Sequence, residues 1–387
     1  MLFDNAITKI EIQYNKHMIS KLSQENYMAC VLGGAVGDAL GAPIEFMSIR
    51  LIKDRYGSSG VTGYVEYSDG TGEFTDDTQM TLFTAEGLLR AWQRQAAKGI
   101  TSIIVVGYQA YLRWLHTQGI CIDRSKIVEG VYDVEKGWLI QRKELFKRRA
   151  PGNTCISALQ SGIIGEIKNP INDSKGCGGI MRVAPVGLIC PGKNEITFQT
   201  ACDMAAITHG HPSGYLSAGF FGSVISDLAI GEELESAIKD ALIILKKWEG
   251  CSETQNAVEY ALDLYEESKS IMKSEPERIP QLLEKLGGGW VGEEALAISL
   301  FCSLIYKNDF RKGVLASVNH SGDSDSTGSI TGNILGLING LNAIPEEWIV
   351  NLRYSDIVRE IGKDIHTGIK EKGNDIDKDW WNKYPGY

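Results

Sequence analysis

The stretch Gly72–Glu86, GEFTDDTQMTLFTAE, decides how this chain is read, because Thr75, Asp76 and Asp77 put a hydroxyl and two carboxylates at the start of a helical pattern. Capping accounts for such a start without any chemistry: with Thr75 as N-cap, each acid in the first turn stabilises the helix by about 0.3–1 kcal/mol through the macrodipole. A second cluster changes the reading. Gly322–Ser326, GDSDS, lies far along the chain and also precedes a helical pattern. Together the two clusters offer Asp76, Asp77, Asp323 and Asp325, with Thr75 and Ser326 as neutral oxygens. If the four carboxylates share one site at about 4 Å, each pair repels by roughly 4 kcal/mol at an effective dielectric of about 20. Such a site needs cations, and an all-oxygen set without His or Cys suits Mg²⁺ or Mn²⁺ before Ca²⁺.

Outward from that stretch, the helix beginning at Thr75 is expected to run to about Ala97, with Leu88, Leu89 and Trp92 on its inner face. Upstream, Met28, Val31, Leu32, Ala35, Val36 and Ala39 follow the spacing of one helical face after a start at Ser23–Asn26. Gly33, Gly34, Gly37 and Gly41 lie in or beside that face. Each glycine costs an exposed helix about 1 kcal/mol relative to Ala, so four together imply close backbone approach to a neighbour or a ligand. Asp38 reads as a hydrogen-bonding anchor, and Glu45 as a lone loop acid just past the glycine helix. Residues 47–74 read as a long loop with a short hairpin. Further helices are expected at 101–118, within 123–148, and at 213–230, 233–249, 253–272, 279–286, 292–307, 325–342 and 355–369. Alternating β-branched runs are almost absent, so the fold class is all-α.

The 387 residues show no linker or composition break, which predicts one compact multi-helix domain. A hydrophobic content of 43% with 23% charged residues is that of a globular chain with a large core. The net charge of −10 argues against a nucleic-acid surface, which needs a broad basic stripe. Arg142–Arg149, RKELFKRR, is the exception, and Glu144, Leu145 and Phe146 within it predict a solvated helix face. The eight cysteines have no CxxC spacing and read as reduced thiols. The N-terminus is not a secretory signal, so the cytoplasm is the expected compartment. The apolar stretches Gly214–Ile230 and Ser329–Ile344 are broken by Asp227, Asn333 and Asn339 and read as buried helices, not membrane spans. The tail, 371–387, carries Trp380, Trp381, Tyr384 and Tyr387 and is expected to dock on the body.

Two more motifs carry chemistry. Ser174–Gly179, SKGCGG, is a glycine-rich run that reads as a turn, or as a loop whose N–H groups face an anion. His209 and His211 are spaced wrongly for a helical zinc pair, and Pro212 biases His211 to an extended conformation. His209 therefore sits in a loop, as a pinning residue or a ligand contact. His320 precedes Asp323 and reads as either a neighbour of the metals or a packing residue.

As a set the motifs resemble the ADP-ribosyl hydrolases, the family of the dinitrogenase reductase-activating glycohydrolase and the ADP-ribosylarginine hydrolases. The resemblance rests on GGAVGDALGAPIEF (33–46), FTDDTQMTLFTAEGLL (74–89), SKGCGGIMRVAPVGL (174–188), THGHPSGYLSAG (208–219), GGGWVGEEALAI (287–298) and SGDSDSTGSITGNILG (321–336), in the family's order. It implies an all-α fold with a dinuclear cleft holding two Mg²⁺ or Mn²⁺. Carried over by motif, Thr75, Asp76, Asp77, Asp323, Asp325 and Ser326 are metal ligands, and Glu45 is the mobile glutamate beside them. Ser174, Gly176, Cys177 and Gly178 match the diphosphate loop, and His209 matches a residue near the ribose. The implied reaction is hydrolysis of the bond between ADP-ribose and arginine on a modified protein, with Asp77 and Glu45 as acid and base in an unassigned order. A metal-dependent phosphoesterase and a non-catalytic ADP-ribose-binding or toxin-blocking module are the rivals. Residues 1–27 precede the matched part and are expected to form an N-terminal extension to a domain at 28–387. They either pack on the body or, as in similar bacterial immunity proteins, plug a cognate ADP-ribosyltransferase toxin.

Overall fold

The computed structural model of the protein describes residues 22–120, 134–370 and 378–386. Its first helices are α1 (Gln24–Gly41), α2 (Ile49–Tyr56), α3 (Asp76–Lys98), α4 (Ile103–Thr117), α5 (Asn153–Gln160) and α6 (Ala184–Ile189). The middle of the chain forms α7 (Asn194–Ala206), α8 (Pro212–Ala229), α9 (Leu234–Leu245), α10 (Ser252–Ser274) and α11 (Ile279–Leu283). The last are α12 (Gly292–Ile305), α13 (Phe310–Val318), α14 (Ser324–Asn339), α15 (Glu346–Val350), α16 (Ser355–Lys370) and α17 (Lys378–Lys383). Among the described residues there is no strand, only the isolated bridges Gly72 to Leu352 and Gly176 to Val291. The fold is all-α, as the patterning predicts.

The pairing of α1 with α14 organises the rest. A Cβ built on Gly33, Gly37 or Gly41 would collide with the backbone of Gly332, Gly328 or Ser324, and one on Gly336 with that of Ala29. The positions rise along α1 as they fall along α14, so the helices run antiparallel with their backbones in contact. The glycines of α1 thus serve a neighbouring helix. Around this pair the core takes Leu32, Val36, Leu40, Ile330 and Ile334, all buried, and the aromatic rings of Phe83, Trp114 and Phe220.

α1 also sets where the two acidic starts lie. Gly41, at its C-terminal end, abuts the first residue of α14. The fully buried Asp38 accepts hydrogen bonds from the backbone N–H of Thr75 (2.9 Å) and of Thr78 (3.0 Å), and from the Thr78 hydroxyl (2.5 Å). One helix therefore holds both N-termini, one by backbone contact and one by a carboxylate.

Several expectations give way. Residues 47–74 contain α2 in place of a hairpin, because Ser48 caps it by accepting from Leu51 N–H and Ile52 anchors it in the core. Arg142–Arg149 is not a helix face: two short 3-10 turns bring Arg142 to Asp356 (2.7 Å), Lys147 to Glu73 (2.7 Å) and Arg149 to Glu66 (2.6 Å). Within 123–148, residues 134–148 form no α-helix. The sequence pattern also missed α7 and α13. Buried Thr197, Thr200 and Ser317 interrupt their apolar faces, so no clean period is visible.

Other readings carry through. The seven described cysteines are free, and Cys121 lies outside the described residues. The stretches Gly214–Ile230 and Ser329–Ile344 fall largely on the buried helices α8 and α14. Among the described residues, by length and composition alone, one segment, Gln24–Ile44, could cross a membrane, but 83% of its apolar window is buried inside the body. In the tail, Trp380 and Tyr384 are buried and the Tyr384 hydroxyl donates to Asp364 (2.5 Å). Residues 22–27 belong to the body as well: Ser23 caps α1, Leu22 packs on the core and Tyr27 is buried.

Candidate active site

Both acidic starts are helix caps in fact. Thr75 begins α3 and its hydroxyl accepts from Asp77 N–H (3.3 Å), and Asp323 begins α14 and accepts from Ser326 N–H (3.2 Å). Capping and chemistry coincide here, because the two N-termini face one cavity of about 150 Å³. Glu45, Asp76, Asp77, Asp323, Asp325 and Ser326 line it from one side, and Gly176, Cys177, Gly178 and His209 from the other. Of the residues singled out in the sequence, Thr75 and Ser174 stand just behind the wall. The Thr75 hydroxyl is 3.4 Å from Asp325 Oδ2, and Ser174 Oγ is 3.3 Å from the Thr154 hydroxyl.

Among the described residues the lining contains no Lys or Arg. Burial, and then the neighbouring acids Asp38, Asp76 and Asp323, push the Asp77 carboxyl well above the usual range. Burial does the same to Asp76 and Asp325. Glu45 is pushed up to about 8 by burial, with Asp323 and Asp38 adding to it. Local donors satisfy part of the set: Asp76 accepts from Gly152 N–H (3.3 Å), Asp325 from Ser326 N–H (2.9 Å) and Asp323 from the Cys177 thiol (2.8 Å). Asp77 Oδ2 is buried with no hydrogen-bond partner among the described residues.

Among the described residues no three His, Cys, Asp or Glu side chains converge into a ready metal cage. The donor chemistry nevertheless fits hard cations. The site is a buried pocket of carboxylate and hydroxyl oxygens with one orphaned oxygen, where unpaired buried charge is costly.

The glycine loop differs from its anion-cradle reading in detail. Gly176 N–H lies 3.4 Å from Ser174 Oγ and Cys177 N–H donates to Trp290 O (3.2 Å), so both amides are already engaged. The lack of a side chain at Gly178 serves His209: a Cβ there would lie 2.9 Å from His209 Cε1. Lys175 ties the loop to α10 and α12 through Glu253 and Glu293, each at 2.9 Å.

His320 does not line the cavity and bonds the Thr327 hydroxyl (2.9 Å). Ala150, Gly152, Thr154 and Cys155, without any motif to announce them, and Met181 of the glycine-loop motif complete the lining. At the rim, next to Glu45, Phe46 has φ +68° and stacks on Trp290 with centroids 4.9 Å apart. A wider depression of about 670 Å³ beside Tyr265, Lys307 and Lys312 contains none of these groups.

Comparison with known proteins agrees with the geometry. The chain is 27% identical over 345 residues to an uncharacterized protein of Archaeoglobus fulgidus, covering 89% of this chain and 96% of that one. It is 22% identical to the ADP-ribosyl-[dinitrogen reductase] glycohydrolase of Rhodospirillum rubrum, covering 90% and 97%. It is also 22% identical to the ADP-ribosylarginine hydrolase Tri1 of Serratia proteamaculans, covering 89% and 79%. Among solved structures an ADP-ribosylglycohydrolase-related protein complex shares the fold, with a TM-score of 0.55 at 20% identity over 89% of this chain and 98% of that one. The family model for ADP-ribosylglycohydrolase matches residues 20–375, so the chain belongs to the ADP-ribosylglycohydrolase family.

Proposed function

We propose that the protein is a metal-dependent hydrolase that releases ADP-ribose from arginine side chains of modified proteins. The observation behind this reading is the single cavity in which two acidic helix starts and Glu45 meet, with no basic side chain among the described residues that line it. Family membership supports removal of ADP-ribose. The arginine linkage draws on the relative named for it and on the motif forms.

Thr75, Asp76, Asp77, Asp323, Asp325 and Ser326 would hold the cations, Mg²⁺ or Mn²⁺, two in number by the resemblance. Bound there, they supply neutralising charge and Lewis acidity. A cavity of about 150 Å³ is on the scale of one small ring, so it takes the ribose while the rest of the ligand follows the glycine loop. Cleavage of the bond from C1″ to the guanidinium nitrogen passes through an oxocarbenium-like state. It needs a proton for the departing nitrogen and a base for water. Glu45 and Asp77 fill these two roles, and in the metal-free protein burial raises the carboxyls of both.

The test is product analysis on arginine-linked and serine-linked ADP-ribosylated proteins, with Mg²⁺ and with EDTA. Free ADP-ribose released from the arginine linkage alone, and only with metal, is expected. Release of phosphate or nucleotide would make the protein a phosphoesterase, and no release would make it a binding module. The same assay addresses a second proposal, that the N-terminal extension blocks a cognate ADP-ribosyltransferase. Of that extension, residues 1–21 lie outside the described residues. A chain lacking 1–21 is expected to keep hydrolysis and lose transferase inhibition, and inhibition that survives the deletion would end the proposal.

A further inference from the structure

Arg182 is completely buried, and among the described residues no acidic side chain lies within ion-pair distance of it. Its guanidinium sits 4.4 Å from the Tyr111 ring centroid. Nη1 lies 3.4 Å from Cys155 Sγ, and Nη2 donates to Met204 O (3.1 Å) and Thr208 Oγ1 (2.7 Å). Thr208 Oγ1 is in turn 2.8 Å from His209 Nδ1.

Proton bookkeeping favours one direction for this chain. A guanidinium only donates, so the Thr208 oxygen must accept from Arg182 and has one proton left to give. Three acceptors lie near that proton. Ala205 O is 3.5 Å away and already takes His209 N–H (3.0 Å) and Thr208 N–H (3.1 Å). The Cys155 thiol is a weak acceptor. The unprotonated ring nitrogen at 2.8 Å is the best of the three. With Nδ1 accepting, the imidazole proton would reside on Nε2, the edge that faces Gly176 and Gly178 across the cavity wall. A second proton on Nδ1 would turn the Thr208 hydroxyl to its poorer acceptors, Ala205 O and the Cys155 thiol, and place a cation beside Arg182. In keeping with this, burial and then Arg182 hold His209 down to about 3.

We propose that Arg182 and Thr208 form a positioning relay that fixes His209 as its Nε2–H tautomer, so that His209 serves the cavity as a permanent hydrogen-bond donor to a ligand oxygen and never as a base. The ligand part of this rests on the proposed function, whereas the tautomer does not. Neither Arg182 nor Thr208 lines the cavity, and both act through the histidine.

The test is ¹⁵N NMR of the histidine ring nitrogens, with the His209 signals assigned by their loss in His209→Gln. The wild-type protein is expected to show Nδ1 as the bare nitrogen, Nε2 as N–H, and no titration between about pH 5 and 8, where an ordinary histidine titrates. Thr208→Ser is expected to keep that pattern. Thr208→Val is expected to give mixed tautomers and about a tenfold loss in kcat/KM on ADP-ribosylated protein, the weight of one hydrogen bond. An Nδ1–H tautomer in the wild-type protein, or a Thr208→Val spectrum identical to wild type, would overturn the relay. Because the wild-type spectrum needs no Thr208 variant and no turnover, it decides the question even if Thr208→Val does not fold or the hydrolase reading fails.

Discussion

Asp38 has the widest consequences of any single residue in the fold. Burial pushes its carboxyl up to about 6, and the N–H and hydroxyl donors of Thr75 and Thr78 pull against that rise. It remains mostly ionised at neutral pH and pins the first turn of α3, the turn that carries Asp76 and Asp77. Asp38→Asn keeps the shape, but it places an NH₂ among donors and removes the charge. With charge-assisted bonds worth about 1.5–3 kcal/mol each, the variant is expected to lose about 2 kcal/mol in urea unfolding. Its turnover should fall as Asp77 shifts, and a loss below about 0.5 kcal/mol would mean that the anchor is dispensable. The sequence marks Asp38 as an anchor, but nothing local shows that it holds residues 37 and 40 positions further on. Gly178 and Cys177 show the same limit: their loop is visible in sequence, whereas the partner of each, His209 and Asp323, is a product of packing.

Among the elements, the contact of α1 with α14 sets the geometry of the site. Gly37→Ala would gain about 1 kcal/mol of helix propensity, but its methyl would press on the carbonyl of Gly328, which is backbone and cannot swing aside. Overpacking costs about 1–3 kcal/mol, so Gly37→Ala is expected to be destabilising on balance, read as a lower midpoint in thermal unfolding. An unchanged or raised midpoint would show that the two helices can part without cost. Helix periodicity revealed α1, α3, α8 and α14 because their apolar residues recur on a face. It failed at α7 and α13, where buried hydroxyls break the pattern, and at α2, where Ile52 is the one buried residue among eight. The basic run 142–149 misled for a related reason: Arg142, Lys147 and Arg149 pair with acids of the 66–73 segment and with Asp356.

At the scale of the whole molecule, the fold class and the docked tail followed from the sequence, and so did the acids that share a cavity. The distribution of charge around them followed less directly. A chain of net charge −10 concentrates Glu45, Asp76, Asp77, Asp323 and Asp325 in one pocket and leaves Asp77 Oδ2 without a hydrogen-bond partner among the described residues. Isolated buried carboxylates are unfavourable by several kcal/mol each, so cations are expected to complete the site. The most direct measurement is titration of the full-length protein with Mn²⁺, followed by electron paramagnetic resonance, alongside Asp77→Ala and Asp325→Ala. The account predicts saturation at two Mn²⁺ per chain and loss of at least one from each variant, since the variants alter opposite helix starts. No saturable binding, or binding that neither variant changes, would contradict it.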